Sequence, residues 1–265
     1  MYTAADLAIK YLRYYLSASN GRGHGIHSPF VYEFTREVLM DKKHYPAYDA
    51  ASAYYKKIKN DHRILEVNDL GAGSASGKTR SRKVSEIART SVKRERYYKL
   101  LYRIGQYYRA KNIIELGTSL GVTSTCLSGI PGVENFITME GAEEIAGYAE
   151  QHFKDAGLVN TKLVKGNFDQ TLESVLSEIG RIDLAFVDGN HRKQPTLNYF
   201  QQIIEYVQDN SCIIFDDIHW SREMEEAWEE IKKDQRVRLS IDLFFVGVVF
   251  FRPTFIEKQD FTIRY

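Results

Sequence analysis

Asn112-Ile113-Ile114-Glu115-Leu116-Gly117-Thr118-Ser119-Leu120-Gly121-Val122-Thr123 decides how the rest of the chain is read. Its apolar run predicts a buried parallel strand. A glycine turn follows, and then a segment fit to start a helix. In an open α/β sheet, such a turn at the carboxyl end of a strand is where a ligand reaches the backbone. Gly117 permits the sharp turn, and Gly121 lets the helix pack closely on the strand. The next apolar run, Asn135-Phe136-Ile137-Thr138-Met139, ends in Glu140, well placed to accept hydrogen bonds from ribose hydroxyls.

Working outward, strands and helices alternate after residue 111. Strands are predicted near 111–117, 134–140, 161–165, 182–188 and 211–217. Helices are predicted near 121–129, 142–156, 168–179, 194–207 and 220–233. Two adjacent strands close the pattern at 236–242 and 244–251. The expected fold is α/β: a Rossmann-like, doubly wound, mainly parallel seven-stranded sheet with an antiparallel edge pair. Before it the chain is rich in Tyr, Arg and Lys and reads as helices near 4–18, 28–41, 47–59 and 92–109. The expected division is a helical N-terminal cover over residues 1–90 and a catalytic domain over 91–265.

Composition excludes several classes. The net charge of +1 names no partner by itself. The two cysteines, Cys126 and Cys212, fall in predicted buried elements and read as core thiols. No apolar run reaches the ~18 residues of a membrane span. There is no signal-peptide pattern, so a cytoplasmic setting is expected. Cys/His zinc spacing, a Gly-x-Ser-x-Gly elbow and a Walker lysine are all absent. Asp69-Leu70-Gly71-Ala72-Gly73-Ser74-Ala75-Ser76-Gly77 imitates a nucleotide loop, but no strand or periodic helix frames it, and it reads first as a loop or lid. Basic residues dominate from Lys78 to Lys111, which reads first as a solvated face and second as a patch for an anionic substrate or RNA.

The glycine turn suits either a dinucleotide or S-adenosylmethionine. A dinucleotide pyrophosphate wants G-x-G-x-x-G, whereas here Ser119 takes the middle position. Glu115 adds a carboxylate that repels a pyrophosphate and favours a cation such as a sulfonium. Two further strands end in acids: Asp188 after Ile182–Val187, and Asp216-Asp217 after Cys212–Phe215. Parallel strands bring such ends to one sheet edge, where clustered carboxylates need a compensating cation. A hard divalent ion such as Mg²⁺ would serve. Helix capping is the plain alternative, above all for Asp217. His191 and His219 follow the two acidic ends and are candidate general bases, while His24 and His27 sit in a loop.

These residues resemble the class I S-adenosylmethionine-dependent methyltransferases, closest to the small O-methyltransferases of the catechol and caffeoyl-CoA type, over about residues 88–252. The resemblance implies cofactor contacts from Glu115, Gly117, Thr118, Ser119, Gly121, Thr123, Glu140, Gly141, Asn167, Phe168 and Asp188. It implies a metal site at Asp188, Asp216 and Asp217, with Asp217 standing where metal-dependent members carry Asn. The catalytic lysine of the catechol type maps onto His191, which with Asp188 forms the expected catalytic pair. The expected activity is methyl transfer to the oxygen of a small molecule. Related enzymes pair as homodimers, which extends the expectation to this chain. An RNA methyltransferase using residues 78–111, a nicotinamide-dependent oxidoreductase and a non-catalytic nucleotide-binding module are the alternatives.

Overall fold

A computed structural model describes residues 1–19, 21, 28–67 and 80–265. His24, His27 and the Asp69–Gly77 segment lie outside the described residues. In chain order the elements are α1 Ala4–Ser17, α2 Pro29–Phe34, α3 Pro46–Ile58, β1 Ile64–Val67, β2 Arg80–Lys83, α4 Val84–Thr90 and α5 Glu95–Tyr107. Then come β3 Asn112–Leu116, α6 Val122–Ser128, β4 Asn135–Glu140, α7 Glu143–Asp155, β5 Thr161–Lys165 and α8 Phe168–Ile179. The last are β6 Ile182–Val187, α9 Lys193–Ile203, β7 Val207–Asp216, α10 Arg222–Lys233, β8 Leu239–Asp242, β9 Val246–Phe250 and β10 Gln259–Thr262. The described chain divides into two compact units, residues 43–180 and residues 1–42 with 181–265.

In the first unit β3, β4 and β5 run parallel, with Ile114 beside Ile137 and Phe136 beside Thr161. β3 and β4 are apolar runs because they are covered on both faces; Ile113, Ile114, Phe136 and Met139 are all buried. Each such side chain contributes ~1.5–3 kcal/mol of transfer free energy. α7 turns Ile145, Ala146, Ala149 and Phe153 inward at helical spacing. α3 approaches α6 so closely that a Cβ on Gly129 would lie 2.7 Å from the Ala47 methyl carbon. β1 and β2 form an antiparallel pair that the sequence pattern does not announce.

In the second unit β6 and β7 run parallel, β9 lies antiparallel to both β7 and β8, and β10 runs parallel to β8. The antiparallel strands expected near the end are therefore present, and β10 adds one strand to the seven expected. The indole of Trp228 on α10 covers β9 where Gly247 leaves room; a Cβ there would meet the ring at 2.7 Å. α1 begins with a reciprocal cap in which Asp6 N–H donates to Thr3 Oγ1 at 3.2 Å and Thr3 N–H to Asp6 Oδ2 at 3.1 Å. Its Tyr11 and Tyr14 rings pack on Phe244 at 5.1 and 5.2 Å. Phe30 and Phe34 of α2 pack edge-on against Phe250. Cys126 and Cys212 are buried free thiols, as their positions in apolar runs imply.

Candidate active site

The turn between β3 and α6 takes the left-handed backbone that its glycines allow. Gly117 has φ +105°, Ser119 +48° and Gly121 +84°. The N–H groups of Gly117 and Thr118 both donate to Met139 O on β4, at 2.9 and 3.0 Å, so the turn leans on the neighbouring strand. A Cβ at Gly121 would lie 2.7 Å from the Phe153 ring. Only glycine meets both demands at that position.

Glu140, at the end of β4, ties itself to this turn. Its Oε2 accepts from Ser119 N–H at 2.8 Å, and its Oε1 accepts from Ala142 N–H at 2.9 Å. Gly166, with φ +126°, donates its N–H to Glu140 O at 2.9 Å and brings the β5–α8 connection to the same strand end. Asn167 caps α8 by accepting from Asp169 N–H at 3.0 Å. Asn167, Phe168 and Gly141 are half-buried beside it.

Glu115 and Thr118 sit beneath the turn rather than on its surface. Glu115 is fully buried, and its Oε2 accepts from the hydroxyls of Ser124 and of Thr138, the latter at 2.7 Å. Thr118 Oγ1 lies 2.6 Å from Thr138 Oγ1. The Thr138 proton goes to Glu115, so Thr118 donates to Thr138, and two hydroxyls meet the carboxylate with a third behind them. Burial pushes the Glu115 carboxyl up to about 7; the bonds from Ser124 and Thr138 pull the other way, and the charge of Glu140 adds to the rise. Ser124 and Thr138 were not singled out from the sequence. The available signal was Glu115 itself, an acid in an apolar run that obliges its neighbours to supply donors. Thr123 is buried in the first turn of α6.

The second unit assembles its own group. One ligand atom from each of Asp188, His191 and Asp216 lies within 4.8 Å of the others, and His191 Nε2 is 3.5 Å from Asp188 Oδ1. Asp188 follows β6 and Asp216 ends β7, so parallel pairing brings them to one edge. His191 is turned toward them by two consecutive left-handed residues, Asn190 at φ +65° and His191 itself at +23°. Asp217 is not in this group. It follows the end of β7 in left-handed backbone, with φ +53°, and uses its N–H on Phe245 O and its C=O as acceptor for Trp220 N–H. His219 is likewise elsewhere, with one ring nitrogen on Asp242 at 2.8 Å and the other on Glu225 at 3.0 Å. A general-base role for it is replaced by an ion-paired one.

A mainly parallel α/β scaffold with a left-handed turn leaning on a strand-end acid is Rossmann-like. Comparison with known proteins narrows that class. Residues 114–218 match a family model described as a methyltransferase domain. A catechol O-methyltransferase of Niastella koreensis is 28% identical over 123 residues, covering 45% of this chain and 55% of the relative. The chain thus spans little more than half the length of that curated relative. A methyltransferase of Podospora anserina, solved with S-adenosylhomocysteine, superposes with a TM-score of 0.58 at 13% identity, covering 95% of this chain and 98% of that one. An O-methyltransferase of Bacillus cereus, also solved with S-adenosylhomocysteine, gives 0.52 at 19% identity, covering 83% and 97%. The fold is shared with these solved methyltransferases.

Proposed function

We propose that the protein is an S-adenosylmethionine-dependent methyltransferase acting on an oxygen of a small molecule. The observation that carries this reading is the Ser119–Glu140 contact, which fixes a left-handed glycine turn against a strand-end carboxylate. That pairing sets a tight glycine turn beside a strand-end carboxylate, an arrangement that suits a nucleoside rather than a pyrophosphate. Gly117, Ser119 and Gly121 would line the amino-acid end of the cofactor, Glu140 the ribose, and Gly141, Asn167 and Phe168 the base. Thr118, Glu115 and Thr123 support the turn from inside. The cofactor supplies an electrophilic methyl group; the protein's part is to hold and align.

For the acceptor, the resemblance assigns Asp188, His191 and Asp216, which offer two roles. His191, held near the Asp188 carboxylate, can take a proton from an acceptor hydroxyl. The same three side chains also suit a divalent cation, since two carboxylates and one imidazole within 4.8 Å form a mixed oxygen and nitrogen donor set. An imidazole among the donors fits Mn²⁺ or Zn²⁺ better than Mg²⁺, which prefers carboxylates and water. Such an ion supplies Lewis-acid chemistry at an acceptor oxygen.

Two unpaired buried thiols accord with a cytoplasmic setting, and no helix among the described residues is long and apolar enough to cross a membrane. The exposed stripe of Ile9, Leu12 and Leu16 on α1 accords with self-association as a homodimer. The test of the central reading is calorimetric titration with S-adenosylmethionine, S-adenosylhomocysteine and NADH. Binding of the first two without the third supports it; folded protein that ignores both nucleosides overturns it.

A further inference from the structure

Two backbone carbonyls of the turn, those of Leu120 and Gly121, accept hydrogen bonds from side chains. Tyr54 on α3 donates its hydroxyl to Leu120 O at 2.7 Å, across 66 residues of sequence. Thr125 on α6 donates its hydroxyl to Gly121 O at 2.7 Å. His152 on α7 places Nε2 2.9 Å from the same Thr125 oxygen. A carbonyl can only accept, so the single Thr125 proton is committed to Gly121 O and His152 Nε2 must be the donor. The His152 ring then lies flat on Tyr54, with centroids 3.3 Å apart and planes 2° from parallel. Burial keeps the Tyr54 phenol protonated by pushing its pKa up, and burial, with Lys57 nearby, pushes His152 down to about 4. Both groups hold these donor roles at neutral pH.

From this arrangement we propose that Tyr54, Thr125 and His152 form a positioning brace that sets the 117–121 turn for cofactor binding, an inference resting on the assignment of that turn to S-adenosylmethionine. The turn needs outside restraint. Ser119 is a non-glycine residue at φ +48°, and Gly121 at +84° must present its peptide unit in one orientation. The Leu120 carbonyl takes its donor from α3, and the Gly121 carbonyl, which already accepts the helical Thr125 N–H at 2.9 Å, takes a second donor from the Thr125 hydroxyl that His152 of α7 holds in place. Phe153, next to His152, fills the space where Gly121 lacks a side chain, so α7 fixes the turn at two adjacent residues. Losing either side-chain contact loosens the turn and with it the alignment of the Ser119 amide on Glu140. The brace touches no cofactor position itself and acts through the backbone.

Tyr54→Phe tests it, because the variant keeps the stack on His152 and loses only the hydroxyl. In the full chain, the dissociation constant for S-adenosylhomocysteine is expected to rise about tenfold, a change of ~1.4 kcal/mol. Amide hydrogen exchange at 117–121 is expected to quicken, while the melting temperature without ligand moves by only a few degrees. His152→Gln keeps an N–H for Thr125 and is expected to stay within about threefold of wild type; His152→Leu is expected to follow Tyr54→Phe. This pair decides the matter if Tyr54→Phe fails to fold. Wild-type affinity and exchange in both Tyr54→Phe and His152→Leu would overturn the brace while leaving the cofactor assignment intact. A wild-type chain that binds neither nucleoside would overturn the assignment, and the brace with it.

Discussion

His219 Nε2 lies 2.8 Å from Asp242 Oδ2, and the ring's other nitrogen lies 3.0 Å from Glu225 Oε1. Two carboxylates flanking one imidazole require both nitrogens to donate, so the bonded form is the imidazolium. Burial opposes that charge, but the bonds and charges of Asp242 and Glu225 outweigh it and raise the pKa above its ordinary value of 6.5. Glu225 also accepts from Tyr2 at 2.7 Å and Lys10 at 3.0 Å, so the imidazolium anchors the start of α1 as well.

A group whose pKa rises on folding stabilises the fold fully below its unfolded value and loses that contribution as pH climbs through the folded one. The stability of the chain should therefore decline from about pH 6.5 upward on account of His219. Urea midpoints measured across that window, for wild type and His219→Asn, provide the check. The variant is expected to be weaker at low pH and flatter above it; parallel curves would remove His219 from the balance.

Glu115 adds a separate slope at lower pH. Its folded pKa of about 7 stands above the unfolded 4.5, so the native state holds a proton that the unfolded chain has already released. Stability should fall between pH 4.5 and 7 and then level off. The full effect is on the order of 3 kcal/mol at ~1.4 kcal/mol per pKa unit. Glu115→Gln places a buried N–H₂ where Oε1 finds no partner, so its absolute stability is a poor readout. The slope is the readout: it should vanish in the variant across that window, and a retained slope would exclude Glu115 as its source.

Gly121 and Gly132 separate backbone strain from steric fit. Both have strongly positive φ, +84° and +87°, yet a Cβ at Gly121 strikes Phe153 at 2.7 Å while one at Gly132 meets nothing within 4 Å. Gly132→Ala should cost about 1 kcal/mol, the penalty of left-handed backbone alone. Gly121→Ala should cost that and a further 1–3 kcal/mol or so from overpacking, together with S-adenosylhomocysteine affinity. Equal denaturation midpoints for the two variants would show that the Phe153 contact relaxes freely.

How much of this could be read from sequence follows from burial. β3, β4, β6 and the end of β7 were legible because both faces are covered and the residues are mostly apolar, broken only by Glu115, Thr138 and Asp183 within them. β2, Arg-Ser-Arg-Lys, and β10, Gln-Asp-Phe-Thr, carry little or no apolar alternation, since one belongs to a two-stranded pair and the other to a sheet edge. The glycine turn and Glu140 could be placed because backbone conformation dictates glycine. The inward aim of Glu115 could not, because a carboxylate beside a turn reads the same whether it faces ligand or core. Tyr54 belongs to a region whose Tyr-rich helices gave no sign of which hydroxyl reaches which carbonyl.

The last expectation concerns the acidic strand ends, where the sequence grouped Asp217 with Asp188 and Asp216 and the structure groups His191 instead. The two sets predict different ions. With His191 among the donors, Mn²⁺ should bind more tightly than Mg²⁺, and His191→Ala should weaken Mn²⁺ by at least about tenfold. Asp216→Asn should do the same, because Asp216 is buried and supplies a charged oxygen to the group. Asp217→Ala should leave the affinity within about twofold, since its own backbone bonds to Phe245 and Trp220 survive the change. Calorimetric titration of each variant with the two metals distinguishes the sets. An ion that ignores His191→Ala but is lost with Asp217→Ala would restore the oxygen-only site. No heat with either metal in wild type would leave His191 to serve as the base beside Asp188.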